Sequence, residues 1–541
     1  MWSTMLSLFQ DVETLILIPF AAFLVYFCWA ESRNRLYELA DKIPGPPGYP
    51  IIGNALEFLG SPHKIFDNLV AKGDIYTDVA KLWIGPRLIV FLFHPADIEL
   101  VLSSHEHLDK SAEYAFLRPW LGNGLLTSTG EKWRAHRRLI APTFHLNVLR
   151  SFMVRFNDNA KVVVRRMKEE GDNVFDVHDY MSECTVETLI ETVMGVKSQT
   201  KNRNCYDYAM AVMKLCDIIH SRQVKVWLRP KFLFYFSKYG MVQKALLGKI
   251  HGLTSMVLTK KQEEVFSGVK SDTVEDTEFE EVKTTKGFSF GQASGLRDDL
   301  DVDLDIGEKK RLPFLESMIE RSQFKMDITD KEVKEQLDTI MFEGHDTTAA
   351  ASSFFFCIMA SRPDIQKKCV EELYSIFGDS DRDVTFQDTM EMKYLERCLM
   401  ETLRLYPPVP LIAREMKKEL KIVSKNLTIP ANCTVCIVPY KLHRRDDVYP
   451  NPNHFDPDNF LPEKSAKRHF YAFIPFSAGP RSCVGRKYAM LKLKTILATV
   501  LRNFHVKPGC LEDRWDLQAD IILKRSDGFN IQLEPRKSLK V

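Results

Sequence analysis

The sequence predicts a mostly α protein with small β-sheets. Three patterns predict it: apolar residues at helical spacing over long segments, short β-branched and aromatic runs, and one uncharged apolar stretch near the N-terminus. The helical segments are Leu149 to Glu169, Lys331 to Ser361 and Met390 to Leu405, and the strand-like runs lie near residues 87–93, 420–439 and 519–533. There is no internal repeat. A chain of 541 residues with 45% hydrophobic content buries one large core or two ordinary ones. With 74 basic and 72 acidic residues and a formal charge of +2, net charge gives no support to nucleic-acid binding.

From Thr14 to Ala30 the chain reads TLILIPFAAFLVYFCWA, which as a helix spans roughly 26 Å against a hydrocarbon core of about 30 Å. No Lys or Arg precedes it, while Arg33, Arg35 and Lys42 follow. The positive-inside rule then leaves residues 1–13 lumenal, makes 14–30 a transmembrane anchor and places the bulk in the cytosol. A cleaved signal peptide is the competing reading; the missing basic segment and the bulky Tyr26, Phe27 and Trp29 disfavour it. Residues 31–50 read as a linker ending in Pro44-Gly45-Pro46-Pro47-Gly48-Tyr49-Pro50, a stiff hinge before a globular body over 51–541.

Eleven cysteines without a framework suit a reducing compartment. Cys433 and Cys436 spell C-x-x-C, but they sit in a β-like run with no second pair at zinc spacing, and read as strand residues. The sequon at Asn426 would go unused on the cytosolic side. Residues 267–308 carry a net charge of −8 with few large aliphatics, and read as a flexible acidic insertion. A calcium loop counted from Asp301 fails on register, because Ile306 and Leu312 stand where Gly and Glu are needed.

Three motifs carry chemistry. In Phe476-Ser477-Ala478-Gly479-Pro480-Arg481-Ser482-Cys483-Val484-Gly485, a cysteine sits in a glycine-rich turn beside arginine and ahead of a helix, where turn N–H groups, the helix N-terminus and Arg481 stabilise a thiolate. In Phe342-Glu343-Gly344-His345-Asp346-Thr347-Thr348, helical spacing puts Glu343 and Thr347 on one face, and Gly344 leaves a gap wide enough for a diatomic ligand. Glu401 and Arg404 place opposite charges at i and i+3.

These motifs resemble those of the cytochrome P450 family: Phe-x-x-Gly-x-Arg-x-Cys-x-Gly, the central-helix oxygen groove, and E-x-x-R. The resemblance implies a P450 fold with an N-terminal transmembrane anchor. It also implies haem b with Cys483 as iron ligand, Phe476, Arg481 and Gly485 completing the signature, and Asp346 and Thr347 as an acid–alcohol pair managing protons. Trp133, Arg137 and Arg414 match the positions that meet the haem propionates, and Glu401 and Arg404 match a structural ion pair. The arginine that usually joins this pair is replaced by Asn459 in Pro457-Asp458-Asn459-Phe460. Arg134 and Arg138, together with Arg486, Lys487, Lys492 and Lys494, match a basic docking patch for NADPH-cytochrome P450 reductase, with cytochrome b5 as a second donor, on the endoplasmic reticulum membrane.

The motifs GEKWRAHRRLIAPTFH, MFEGHDTTAA and FDPDNFLPE narrow the resemblance to family 4, where the glutamate at position 343 either forms an ester with a haem methyl group or stays a non-covalent partner. The long acidic insertion resembles insect subfamily G, whose members use O2 and NADPH-derived electrons to convert long-chain fatty aldehydes to hydrocarbons one carbon shorter. A fatty-acid ω-hydroxylase is the near alternative and a non-catalytic haem ligand sensor the distant one. Phe116, Leu117, Trp120, Val409, Leu411 and Ile412 are the tunnel residues by family position, each of which core packing would explain equally well.

Overall fold

The computed structural model describes residues 17–26, 29, 34–49, 51–197, 204–267, 312–324, 326–509 and 515–538. Eight helices frame the site: α1 (Gly130–Ile140), α2 (Met153–Lys168), α3 (Val177–Thr192), α4 (Asn204–Val224), α5 (Lys238–Phe266), α6 (Asp330–Ser361), α7 (Lys393–Leu405) and α8 (Arg486–Asn503). A capping box starts α6: the Glu332 backbone N–H donates to Thr329 Oγ1 at 3.3 Å, and the Thr329 N–H donates to the Glu332 carboxylate at 3.0 Å. From Ala349 to Ala360 every residue of α6 is buried, so this helix runs through the middle of the core.

Two expected helices are interrupted. A break at Phe152 divides Leu146–Ser151 from α2, and one at Met392 divides Phe386–Glu391 from α7. Both break residues are themselves buried, at 3% and 0% exposure. The apolar period therefore carries across the break, and spacing alone reads one helix where there are two.

Short strands form four small sheets among the described residues: β1 (Val79–Ile84), β2 (Arg87–Leu92), β3 (Phe175–Asp176), β4 (Ile412–Glu415), β5 (Leu420–Lys421), β6 (Thr428–Ile429), β7 (Thr434–Ile437), β8 (Phe504–Pro508), β9 (Leu517–Ala519), β10 (Leu523–Arg525) and β11 (Asn530–Pro535). The largest has the order β1-β2-β7-β4, with β2 and β7 parallel and the other pairs antiparallel. Its register aligns Ala80, Phe91, Cys436 and Ala413 in one row across all four strands. Alternation sends that row to one face, while Val90, Leu92, Val435 and Ile437 pack on the other.

Part of the expected linker is folded: Asn34–Asp41 is helical, and Leu36, Ala40 and Ile43 join the core over the outer face of this sheet. Residues 44–48 then run without regular structure, as the prolines require. Of the expected anchor, residues 17–26 are helical, and Leu17, Ile18, Phe20, Phe23, Leu24, Val25 and Tyr26 are exposed. Among the described residues no helix is long and apolar enough to cross a membrane. Residues 1–16, the rest of the anchor at 27, 28 and 30, and the acidic insertion from 268 onward lie outside the described residues.

Candidate active site

The residues 476–485 form a turn that closes just before α8. The Cys483 N–H donates to the Phe476 carbonyl at 2.9 Å, and the Ser482 N–H to the Gly479 carbonyl at 2.9 Å. Gly479 has φ +69°, and a Cβ there would lie 2.0 Å from the Leu102 carbonyl oxygen, so only glycine lets the turn approach that backbone. Gly479→Ala is expected to cost at least about 1–3 kcal/mol, read as a lower denaturation midpoint. Of the nine cysteines among the described residues Cys483 is the exposed one. Its exposure is into a cavity of about 490 Å³, which Phe476, Arg481, Cys483 and Gly485 line together.

Cations gather on the cavity wall. Lys110, Arg137 and Arg481 line it, and Arg414, 2% exposed, sits behind Lys110, to which its backbone is paired. Arg481 is held by three carbonyls, those of Leu108 at 2.9 Å, Leu125 at 3.1 Å and Ser128 at 2.6 Å, with its guanidinium 4.4 Å over the Trp133 ring. Arg137 donates to Ser482 Oγ at 3.4 Å. Burial and the neighbouring Arg414 push Arg481 down to about 9, and burial with Arg414 and Arg481 pushes Lys110 well below the usual lysine range. Cations so depressed fit a ligand that brings its own carboxylates. Haem, with two propionates and an iron that a cysteine thiolate can bind, meets that requirement, so these residues fit the group.

The central helix contributes one face. Glu343, Gly344, Thr347 and Thr348 line the cavity. Thr347 Oγ1 donates to the Glu343 carbonyl at 2.8 Å, and Thr348 Oγ1 to the Gly344 carbonyl at 2.9 Å. Burial raises Glu343 to about 6 against the pull of Lys110, Arg137 and Arg481. Its carboxyl thus holds its proton more tightly folded than unfolded. In the haem-free chain this contribution to stability is full below pH 4.5 and is lost as pH rises through 6. The loss amounts to about 2 kcal/mol, and Glu343→Gln is expected to flatten that slope in chemical denaturation at stepped pH.

Asp346 faces elsewhere. It does not line the cavity; it is fully buried on the opposite side of α6, 3.9 Å from Lys524 Nζ and close to His178 and His345. Burial acts to raise the Asp346 pKa, but Lys524, His345 and His178 outweigh it and hold the carboxylate below its ordinary value.

Glu401 and Arg404 are both 0% exposed and form a two-pronged ion pair, with Arg404 Nε and Nη2 each 2.7 Å from a Glu401 oxygen. Arg404 also donates to the carbonyls of His443, Pro452 and His454, and stacks over Tyr449. The missing arginine is replaced in two parts: Asn459 Nδ2 donates to Glu401 Oε1 at 3.2 Å, and Arg468 donates to the Asn459 carbonyl while stacking on Tyr449 and Phe460.

The tunnel positions divide. Leu117, Val409, Leu411 and Ile412 line the cavity; Phe116 and Trp120 do not. Phe116 lies against the guanidinium groups of Arg222 and Arg229, and Trp120 packs on Phe342 at 4.4 Å. The inner row of the four-stranded sheet, Ala80, Phe91, Ala413 and Cys436, supplies wall that the sequence reading missed. The continuous apolar run Leu88–Leu92, which suits a strand buried on both faces, was the available signal. The basic patch shrinks as well. Arg134 and Arg138 are exposed, but Arg486, Lys492 and Lys494 are buried on the inner faces of α8. Lys492 donates to the Gly344 carbonyl at 3.0 Å, and Lys494 to the Thr389 carbonyl and Glu396.

Comparison with known proteins accords with this geometry. The family model described as Cytochrome P450 matches residues 43–533. The chain is 52% identical to Cytochrome P450 4g15 of Drosophila melanogaster over 98% of both chains. It is 47% identical to Cytochrome P450 4g1 of the same organism, over 99% of this chain and 96% of that one. To human Cytochrome P450 4V2 it is 33% identical, over 94% of this chain and 92% of the relative. A thiolate turn, a cationic wall and a grooved central helix, on a chain alignable end to end with these relatives, make this protein a monooxygenase of the cytochrome P450 family, in family 4 and its subfamily G.

Proposed function

We propose that this chain carries out oxidative decarbonylation of long-chain fatty aldehydes to hydrocarbons one carbon shorter, for cuticular hydrocarbon synthesis. Electrons would come from NADPH through cytochrome P450 reductase, with cytochrome b5 as a second donor, on the cytosolic face of the endoplasmic reticulum and with residues 14–30 as anchor. The observation that carries the reading is the near-full-length match to subfamily G relatives. The cavity supports the substrate class: beyond the cationic wall its lining includes Leu82, Ile89, Phe91, Phe93, Val409 and Leu411, which suit an alkyl chain.

Haem bound at Cys483 supplies oxygen activation, the thiolate favouring O–O cleavage. The chain supplies the rest. The turn 476–485 and the N-terminus of α8 stabilise the Cys483 thiolate charge. Lys110, Arg137 and Arg481 would meet the propionates, with Arg414 buried behind Lys110 and Trp133 packed against the Arg481 guanidinium. Glu343, on the cavity face, is the residue that would carry an ester to a haem methyl group. Thr347 lines the cavity, and Asp346, one residue away, holds an ionised carboxylate behind the helix beside Lys524. Thr347→Ala and Asp346→Asn are expected to lower product per NADPH consumed by about 10²-fold while haem content is unchanged.

The substrate class is tested with an aldehyde carrying ¹³C at its carbonyl, incubated with the membrane-bound protein, reductase, NADPH and oxygen. Label released as carbon dioxide beside an unlabelled hydrocarbon supports decarbonylation. Label retained in an ω-oxygenated product would instead make the chain a hydroxylase.

A further inference from the structure

Where α1 meets α6, one buried amide connects the central helix to the arginines of the haem wall. Gln336 on α6 is 0% exposed and does not line the cavity. A buried side-chain amide is costly unless its oxygen and its N–H group are both matched, and here both are. Gln336 Oε1 accepts from the Leu125 N–H at 2.9 Å, and Nε2 lies 2.8 Å from His136 Nδ1 on α1. The first contact fixes the second. A backbone N–H only donates, so Oε1 must face Leu125 and Nε2 must donate to Nδ1. His136 is therefore neutral, with its proton on Nε2, 3.8 Å from a Glu332 oxygen. Burial lowers His136 below the ordinary imidazole value, in keeping with that form.

Each end of the amide leads to an arginine. Leu125 offers its N–H to Gln336 and its carbonyl to Arg481 Nη1 at 3.1 Å, and the Ser128 carbonyl in the same turn accepts from Arg481 Nη2 at 2.6 Å. On α1, His136 is the neighbour of Arg137 and one turn from Trp133, over whose ring the Arg481 guanidinium lies at 4.4 Å.

The turn 122–128 is shaped to stand this close to α6. A Cβ at Gly124 would lie 2.1 Å from Thr339 Oγ1 and 2.7 Å from the Glu335 carbonyl oxygen, so glycine is what lets the turn sit on the helix at the level of Gln336. The Thr127 and Ser128 N–H groups close the turn on the Gly124 carbonyl at 3.1 and 2.9 Å. Lys132 Nζ, on the first turn of α1, reaches Glu332 at 2.8 Å and ties the two helices where they start. Gln336, Ile340, Glu343 and Thr347 recur at i, i+4, i+7 and i+11, which is one face of α6, and the last three line the cavity. The face that meets the cavity thus continues, two turns earlier, into the amide that holds the arginines.

We propose that Gln336 is a positioning residue for the haem propionates: it holds Arg481 through Leu125 and the Arg137 turn of α1 through His136, and so sets how tightly haem is kept and at what potential it is reduced. The inference rests on the assignment of Arg137 and Arg481 to the propionates. Reduction adds a negative charge that a nearby cation stabilises, so an Arg481 that drifts away lowers the potential.

The test uses the full-length, haem-loaded protein and compares wild type with Gln336→Leu, Gly124→Ala and Arg481→Gln. Leu373→Ala, at a fully buried side chain outside the cavity lining, controls for lost packing alone. Three readouts need no turnover: haem loss to excess apomyoglobin, the reduction potential, and the propionate bending bands in resonance Raman spectra. Gln336→Leu should lose haem about tenfold faster, with a lower potential and shifted propionate bands. Gly124→Ala keeps the amide but lifts the turn off α6, and should move all three readouts in the same direction; it keeps the test open if Gln336→Leu does not fold. Leu373→Ala should lower the denaturation midpoint and leave potential and bands as in wild type. Wild-type potential and bands in Gln336→Leu and Gly124→Ala overturn the inference, and so does an equal shift in Leu373→Ala. If Arg481→Gln moves the readouts while the Gln336 and Gly124 variants do not, only the role of Gln336 falls; if Arg481→Gln moves none of them, the propionate assignment falls and takes the inference with it.

Discussion

Cys483→Ala is expected to leave a folded chain that binds haem without a thiolate ligand and turns over at background. The side chain faces the cavity and is exposed there, whereas the turn around it is set by backbone groups: the Cys483 N–H on the Phe476 carbonyl, the Ser482 N–H on the Gly479 carbonyl, and the left-handed Gly479 against Leu102. Removing one exposed sulfur atom leaves those contacts alone, so stability should stay within about 0.5 kcal/mol of wild type by denaturant unfolding. Chemistry has no such reserve, because the thiolate's electron donation is what favours O–O cleavage. Cys483→Ser separates the two further, since it keeps shape and hydrogen bonding yet provides no thiolate at neutral pH. Haem content, denaturation midpoint and product yield, measured side by side, check the claim: the first two largely kept and the third lost.

Arg404→Leu should do the opposite, destroying the fold before the chemistry can be asked about. Glu401 and Arg404 are both fully buried, and removing one partner leaves an uncompensated charge in the core, a loss of about 3–5 kcal/mol. Arg404 also ties α7 to the His443, Pro452 and His454 carbonyls, so its loss orphans three acceptors as well as Glu401. Glu401→Gln should cost less, because a neutral amide can still accept from Arg404 and from the Asp456 N–H, which lies 2.8 Å from Glu401 Oε1. Arg404→Lys should not rescue: an ammonium cannot make the two-pronged contact and also reach three carbonyls. Set against a stability of about 5–15 kcal/mol for a typical protein, a loss of this size predicts little soluble protein and no haem incorporation, read by expression yield and absorbance.

The sequence made the chemistry legible where side chains work close to one another along the chain. The thiolate turn, the Glu343–Thr347 face and the Glu401–Arg404 pair are each local, and helical or turn spacing is enough to assemble them. It was less informative wherever the partner comes from far away. Lys110 joins the cationic wall from a position that no motif marks, and Asp346 turns its carboxylate to Lys524, 178 residues further on. Lys492 looked like a surface cation because it follows the cysteine on a basic helix, and its carbonyl partner at Gly344 became visible only with α8 packed on α6. Trp120 reads as tunnel by family position, yet its ring is spent on Phe342. Strands were harder than helices for the same reason: two- to four-residue pieces such as Phe175–Asp176 and Ile412–Glu415 acquire their extended form from non-local pairing, not from their own residues.

Whether Cys483 delivers a thiolate to a haem iron is the claim on which the other assignments depend, and the carbon monoxide difference spectrum of the reduced, purified protein tests it most directly. The reduced wild-type protein is expected to show the strongly red-shifted Soret band of a thiolate-ligated haem, at a yield of one per chain, and Cys483→Ala to lose it. A Soret band typical of nitrogen ligation in a folded wild-type protein, or a thiolate band that survives Cys483→Ala, would contradict it.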